Sequence, residues 1–129
     1  MRGIIIDDSS VIRTVASRIL TNYAEITLLE APTARAGYDI CADNMPELVI
    51  IDSDLPDEKG IDLLERVTQL DHRGMASVIL LLSEVDLSAI MRAKRAGAAG
   101  FLLKPFDRDT ILDVLGPLLK YRIEEARAA

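Results

Sequence analysis

Three short apolar runs, Gly3–Ile6, Leu48–Ile51 and Val78–Leu82, show no alternation of polar and apolar residues. A strand with one wet face alternates, whereas an unbroken run of Ile, Val and Leu fits a strand covered on both faces. Phe101–Leu103, directly after a glycine, reads as a fourth such strand, and Ile26–Leu29 as a weaker fifth. Strands covered on both faces belong to parallel sheets sandwiched between helices, so the intervening segments should be helical.

The intervening patterns have helical spacing. Val11, Val15, Ile19 and Leu20 share one helix face, with Ser9 or Ser10 available as N-cap. Thr33, just after Pro32, can cap a helix reaching about Asp43. Ile61, Leu64, Val67 and Leu70 recur after Gly60, and Leu87, Ile90, Met91 and Lys94 lead to a stop at Gly97. Ile111, Leu112, Leu115, Leu118 and Leu119 form the last helix, whose end at Glu124–Ala129 reads as fraying. Gly116-Pro117 lies inside that helix, where proline costs about 3 kcal/mol unless the helix kinks.

Strand and helix thus alternate five times. This predicts an α/β fold, a flavodoxin-like (βα)5 doubly wound parallel sheet with strand order 2-1-3-4-5 reached by right-handed crossovers. With 129 residues, half of them hydrophobic, there is material for one core, so residues 1–129 are expected to form a single domain.

Charge and composition remove several function classes. Lys and Arg number 15 against 21 Asp and Glu, and the basic residues are scattered rather than gathered on one face. A nucleic-acid partner is therefore not expected. No apolar run approaches the ~18–20 residues of a membrane span, and no leader-like segment opens the chain. A soluble, cytoplasmic protein is expected. Cys41 is the sole cysteine, which excludes an internal disulfide and a zinc cluster and reads as a small buried apolar residue. His72 stands alone in the polar stretch Asp71–Gly74 and reads as a solvated loop residue.

In sheets of this kind ligands bind outside the carboxyl ends of the strands. Asp7 and Asp8 follow the first strand, Asp52 ends the third, and Lys104 ends the fifth. The fold should bring these four together. Converging carboxylates repel and raise one another's pKa, and a hard divalent cation with oxygen ligands relieves that repulsion. Few carboxylates combined with phosphate oxygens suit Mg²⁺. Lys104 then offers a mobile positive charge to an incoming phosphoryl oxygen.

The stretches Ile4-Ile5-Ile6-Asp7-Asp8-Ser9, Asp52-Ser53-Asp54-Leu55-Pro56-Asp57-Glu58-Lys59-Gly60 and Lys104-Pro105-Phe106 resemble response-regulator receiver domains, stand-alone chemotaxis-type ones above all. The resemblance spans essentially the whole chain. It implies that Asp52 accepts a phosphoryl group from a histidine kinase or histidine phosphotransfer protein. It implies that Asp8 and Asp52 ligate Mg²⁺ directly, Asp7 partly through water, and that the Asp54 backbone carbonyl completes the site. Lys104 would pair with the phosphoryl group, preceding a cis Lys104-Pro105 peptide. Phosphorylation and dephosphorylation of Asp52 would be self-catalysed, without a separate substrate. Output would pass to a downstream target through the fourth helix, fifth strand and fifth helix.

Two positions depart from the pattern. Receivers carry a Thr or Ser at the end of the fourth strand, 22 residues before the lysine, and that spacing lands on Leu82. Either the switch hydroxyl is missing, which the spacing favours, or a one-residue deletion in the following loop lets Ser83 serve. Phe101 stands where the family has an aromatic, often Tyr, whose rotamer follows activation. It has no hydroxyl, and a plain core phenylalanine is an equal reading. Glu84 and Asp54 add negative charge at the pocket mouth, and Gly116-Pro117 falls in the helix that would meet partners.

Two other functions compete. Asp52-Ser53-Asp54 resembles the Asp-x-Asp of haloacid-dehalogenase-like phosphatases, but there the motif follows the first strand, whereas here Asp7-Asp8 precede it and Asp107 and Asp109 come only after Lys104-Pro105-Phe106. Alternatively, Leu82 marks a degenerate receiver acting as a constitutive protein-binding module. Retention of every acid and of the lysine speaks against that reading, because idle carboxylates would have no reason to remain in mutual repulsion.

Overall fold

The computed structural model describes residues 1–71 and 74–128, so His72 and Ala129 lie outside the described residues. The elements are β1 (Arg2–Ile6), α1 (Ser10–Tyr23), β2 (Thr27–Ala31), α2 (Ala34–Asp43), β3 (Leu48–Asp52), α3 (Gly60–Leu70), β4 (Ser77–Leu82), α4 (Leu87–Ala96), β5 (Gly100–Leu103) and α5 (Arg108–Ala128). All strand pairings are parallel and the sheet order is β2-β1-β3-β4-β5, the flavodoxin-like arrangement.

The absence of alternation in the strand sequences has a direct cause. Ile4, Ile6, Val49, Ile51, Val78 and Leu80 pack with the α2–α4 layer, while Ile5, Ile50, Ile79 and Leu81 pack with α1 and α5. Each of these side chains is at most 2 % exposed, so no position on β1, β3 or β4 gains from being polar until the strand ends. Cys41 is buried as expected, and its desolvation pushes the thiol up to about 11.

Three elements differ in detail from the sequence reading. β2 runs Thr27–Ala31 rather than Ile26–Leu29, because pairing with β1 continues to the Ile6↔Ala31 rung and an edge strand tolerates the exposed Glu30. In α1 the buried stripe is Ile12, Ala16, Ile19 and Leu20; Val11 is 67 % exposed and Val15 also faces outward. In α4 the fully buried residue is Ala93, while Leu87 and Met91 are 70 % and 57 % exposed. Both helices carry more apolar residues than their buried stripe needs, and the surplus set the expected phase wrongly.

Helix ends follow local chemistry. Ser9 and Thr33 accept from the N–H groups of Ile12 and Ala36, as N-caps do. Asp86 caps α4 at Ala89, and Gly97 ends it in the left-handed region at φ 100. Asp107 and Thr110 exchange hydrogen bonds at the start of α5, a reciprocal capping pair. α5 continues through Pro117 to Ala128. Pro117 lies on the exposed face, as does Asp113, whose carbonyl is four residues back and can turn to water.

Gly60 fixes how the loop after Asp52 returns to the sheet. Its N–H donates to the Ser53 carbonyl at 2.8 Å, and a Cβ there would sit 1.9 Å from the Asp52 carbonyl oxygen. That neighbour is backbone and cannot move aside. Gly97, by contrast, needs its positive φ but has open space around it. Urea denaturation should therefore show Gly60→Ala losing about 1–3 kcal/mol, and Gly97→Ala about 1 kcal/mol from backbone strain alone.

Candidate functional site

The carboxyl edge of the sheet gathers the residues that the strand-end rule selects. Asp7 leaves β1 with its N–H bonded to the Ala31 carbonyl at 3.0 Å. Its side chain is fully buried: Oδ1 accepts from Ser9 N–H at 2.9 Å, and Oδ2 accepts from Lys104 Nζ at 3.0 Å. Asp52 ends β3 opposite Leu81 and is 2 % exposed. Asp8 is exposed at the rim. One carboxylate oxygen from each of Asp7, Asp8 and Asp52 lies within 4.8 Å of the others. Lys104 is aimed inward by its backbone, whose N–H bonds the Leu82 carbonyl at 2.7 Å, and the following peptide to Pro105 is cis.

Lys104 Nζ stands 3.0 Å from Asp52 Oδ1, yet that buried oxygen has no hydrogen-bond partner. The approach is a charge contact without hydrogen-bond alignment; the aligned bond goes to Asp7. Burial raises the Asp52 pKa, with Lys104 opposing and the charges of Asp7 and Asp54 adding to it. For Lys104, burial works downward, but the pairs with Asp52 and Asp7 outweigh it and leave the pKa raised. The site thus holds an ammonium between two buried carboxylates, hydrogen-bonded to Asp7 and only in charge contact with Asp52 Oδ1. Hard oxygen donors at this spacing, one of them unbonded, suit a small divalent cation.

Next to Asp52 lies a cavity of about 280 Å³ lined by residues of the β3–α3 and β4–α4 loops. Asp54, Lys59, Leu82, Ser83 and Glu84 all contribute to it. The Asp54 carboxylate is exposed and stays outside the three-acid group, and its backbone pairs with Lys59 across the loop. Leu82 is the last residue of β4, paired with Leu103 and 2 % exposed, whereas Ser83 is exposed on the loop beyond it. Phe101 on β5 faces outward and is 39 % exposed.

Two residues escaped the sequence reading. Arg13 of α1 donates to the Asp7 carbonyl at 2.7 Å and pairs with Glu30 at 3.0 Å, fixing the turn that carries the two acids. Asp57, in the loop after Asp52, accepts from the N–H groups of Ala34 and Arg35 at the start of α2. Those two bonds hold its carboxyl below the usual range. Neither residue type carries a sequence signature for such a contact.

The known proteins agree with this geometry. Residues 4–116 match the family model of the response regulator receiver domain. This chain belongs to that family. It is 28 % identical over 118 residues to the chemotaxis protein CheY of Bacillus subtilis, covering 92 % of this chain and 97 % of that protein. It is 30 % identical to the sporulation initiation phosphotransferase F of the same organism, covering 87 % and 88 %. Among solved structures, the CheY-like receiver domain protein of Methanospirillum hungatei superposes with a TM-score of 0.85 at 26 % identity, covering 96 % and 97 %. The chain is thus a CheY-like receiver domain of two-component signalling, a family that interacts with histidine kinases and downstream targets and generally binds Mg²⁺ at an acidic cluster. Among its described residues no helix is long and apolar enough to cross a membrane.

The electrostatics give two opposite expectations. A carboxyl whose folded pKa is raised binds its proton more tightly folded than unfolded, so ionised Asp52 costs stability above that pKa, and the cost fades as pH falls through it. Without divalent cations, Asp52→Asn should raise the melting temperature at neutral pH, with the gain shrinking toward about pH 4. Lys104→Met removes the ammonium from two buried carboxylates and should cost about 3 kcal/mol at neutral pH, again less in acid. Melting curves across pH for both variants check the signs.

Proposed function

We propose that residues 1–129 act as one receiver unit whose phosphoacceptor is Asp52. The supporting observation is the unbonded, buried Asp52 Oδ1 beside Lys104, at an edge shared with Asp7 and Asp8. In the reaction a carboxylate oxygen of Asp52 attacks the phosphorus of a phosphohistidine. The P–N bond breaks, the histidine nitrogen leaves with its electron pair, and an acyl phosphate results. Lys104 Nζ balances charge on the phosphoryl oxygens. Attack by water on the same phosphorus returns the carboxylate and inorganic phosphate, so the cycle is self-catalysed and turns over no separate substrate.

Asp8 and Asp52 would hold Mg²⁺ directly, with Asp7 partly through water and the Asp54 backbone carbonyl as a further ligand. When bound, the ion supplies positive charge to the transferring phosphoryl oxygens. The phosphoryl donor is a histidine kinase or histidine phosphotransfer protein. Output passes to a downstream target protein over α4, β5 and α5, where Leu87, Met91, Phe101 and Leu103 leave apolar surface exposed. The reading includes a cytoplasmic location, for which kinship with CheY is the support.

Leu82 shapes the kind of switch this is. With leucine ending β4, no hydroxyl at that position can bond the phosphoryl group and draw the β4–α4 loop inward, and Ser83 on the loop is the neighbouring candidate. A hydrogen bond to a charged group is worth about 1.5–3 kcal/mol, comparable to the bias of a two-state switch. A weakly switching receiver suits a phosphate relay or sink, and at the extreme a constitutive binding module.

Incubation with acetyl phosphate and Mg²⁺, read by intact mass, should add one base- and hydroxylamine-labile phosphate to the wild type and none to Asp52→Asn. Modification at Ser53 or Ser83 instead would overturn the assignment. Millimolar Mg²⁺ should raise the wild-type melting temperature, and Asp8→Asn should remove most of the rise. Leu82→Thr should widen the chemical-shift response of Ser83–Gly97 to beryllofluoride and Mg²⁺. If Ser83→Ala abolishes a full wild-type response, Ser83 is the switch hydroxyl.

A further inference from the structure

The loop between Asp52 and Gly60 is pinned at its base by the Gly60 N–H to Ser53 carbonyl bond and by the Asp54–Lys59 bridge. Leu55 also packs into the core and Glu58 pairs with Arg66 of α3, yet none of these contacts ties the loop to α2. Asp57 does: Oδ1 accepts from Ala34 N–H at 2.9 Å and Oδ2 from Arg35 N–H at 3.0 Å. Two bonds from one carboxylate fix orientation as well as distance.

The partners lie across the site. α2 follows β2 and this loop follows β3, while β1 runs between those strands and leads into Asp7 and Asp8. The Asp57 clamp therefore spans the end of β1. Thr33 already caps the same helix from within its own segment, through Ala36 N–H. α2 thus has a local cap and a long-range one, and only the long-range one constrains the loop. Asp57 and Arg35 both face solvent, so water can replace the bond to the Arg35 N–H if the clamp is removed; Ala34 is buried, and water cannot tie the loop to the helix.

Resting on the metal site proposed above, we infer that Asp57 is a positioning residue for that site. By clamping the β3–α3 loop to the start of α2, it holds the Asp54 carbonyl at a fixed place relative to Asp7, Asp8 and Asp52. Asp57 touches neither the phosphoryl group nor the cation; it acts through the loop.

The test compares Asp57→Ala, Asp57→Asn and Thr33→Ala in the full chain. In metal-free protein, hydrogen exchange across Ser53–Lys59 should quicken in Asp57→Ala and not in Thr33→Ala, although both lose an α2 cap. Calorimetric titration with Mg²⁺ should show affinity falling about tenfold in Asp57→Ala, less in Asp57→Asn, which keeps one acceptor oxygen, and not at all in Thr33→Ala. Wild-type Mg²⁺ affinity in Asp57→Ala, or an equal loss in Thr33→Ala, overturns the inference while leaving the phosphoacceptor reading intact. Wild type that binds no Mg²⁺ overturns the metal reading and this inference together.

Discussion

Lys104 brings one positive charge into a space where Asp7, Asp8 and Asp52 bring three negative ones. That imbalance is the condition the carboxyl edge is built around. Asp7 is held by the Ser9 amide and by Arg13 on its carbonyl, and Asp52 by the backbone ladder between β3 and β4. The unfavourable proximity persists because the strands that deliver it are among the most buried segments of the chain. Burying apolar surface at roughly 25 cal/mol per Å² over whole strands supplies far more stabilisation than the cluster removes.

The sheet and the four central site residues were legible for the same reason. A strand buried on both faces leaves an unbroken apolar run, and the first polar residue after it marks the strand end. Parallel topology puts those ends on one edge, so Asp7, Asp8, Asp52 and Lys104 could be grouped although 97 positions separate the extremes. The faces of α1 and α4 were less legible. Val11 and Ile12 are adjacent and equally apolar, and only packing decides between them. In α4 the buried contact is made by Ala93, too small to dominate a pattern that contains Leu87 and Met91. Asp57 and Arg13 were illegible because their contacts join different segments through residue types common on any surface.

Among α1–α4, α4 buries the fewest residues fully. It buries a single residue fully, and Arg92 supplements that by pairing with Asp62 and Glu65 of α3. Solvent-exposed ion pairs contribute little each, so the helix rests on modest interactions. The same shallow burial leaves Leu87 and Met91 outside the core, beside the outward Phe101 and Leu103 of β5. Softness and exposed apolar surface are two results of one shallow packing arrangement.

The long sequence separation between Asp7 and Lys104 also bears on how the chain folds. Every strand pairing here is parallel and waits for a helical crossover, which makes assembly slow compared with local hairpins. β1 and β3 can pair as soon as the first half of the chain is available, and that pairing collects the carboxylates before any ammonium is present. A partial fold of β1–β3 is therefore penalised by its own charges, and docking of β5 relieves the penalty. The site's electrostatics couple the last strand to the first three, favouring all-or-none assembly over accumulation of a half-built sheet.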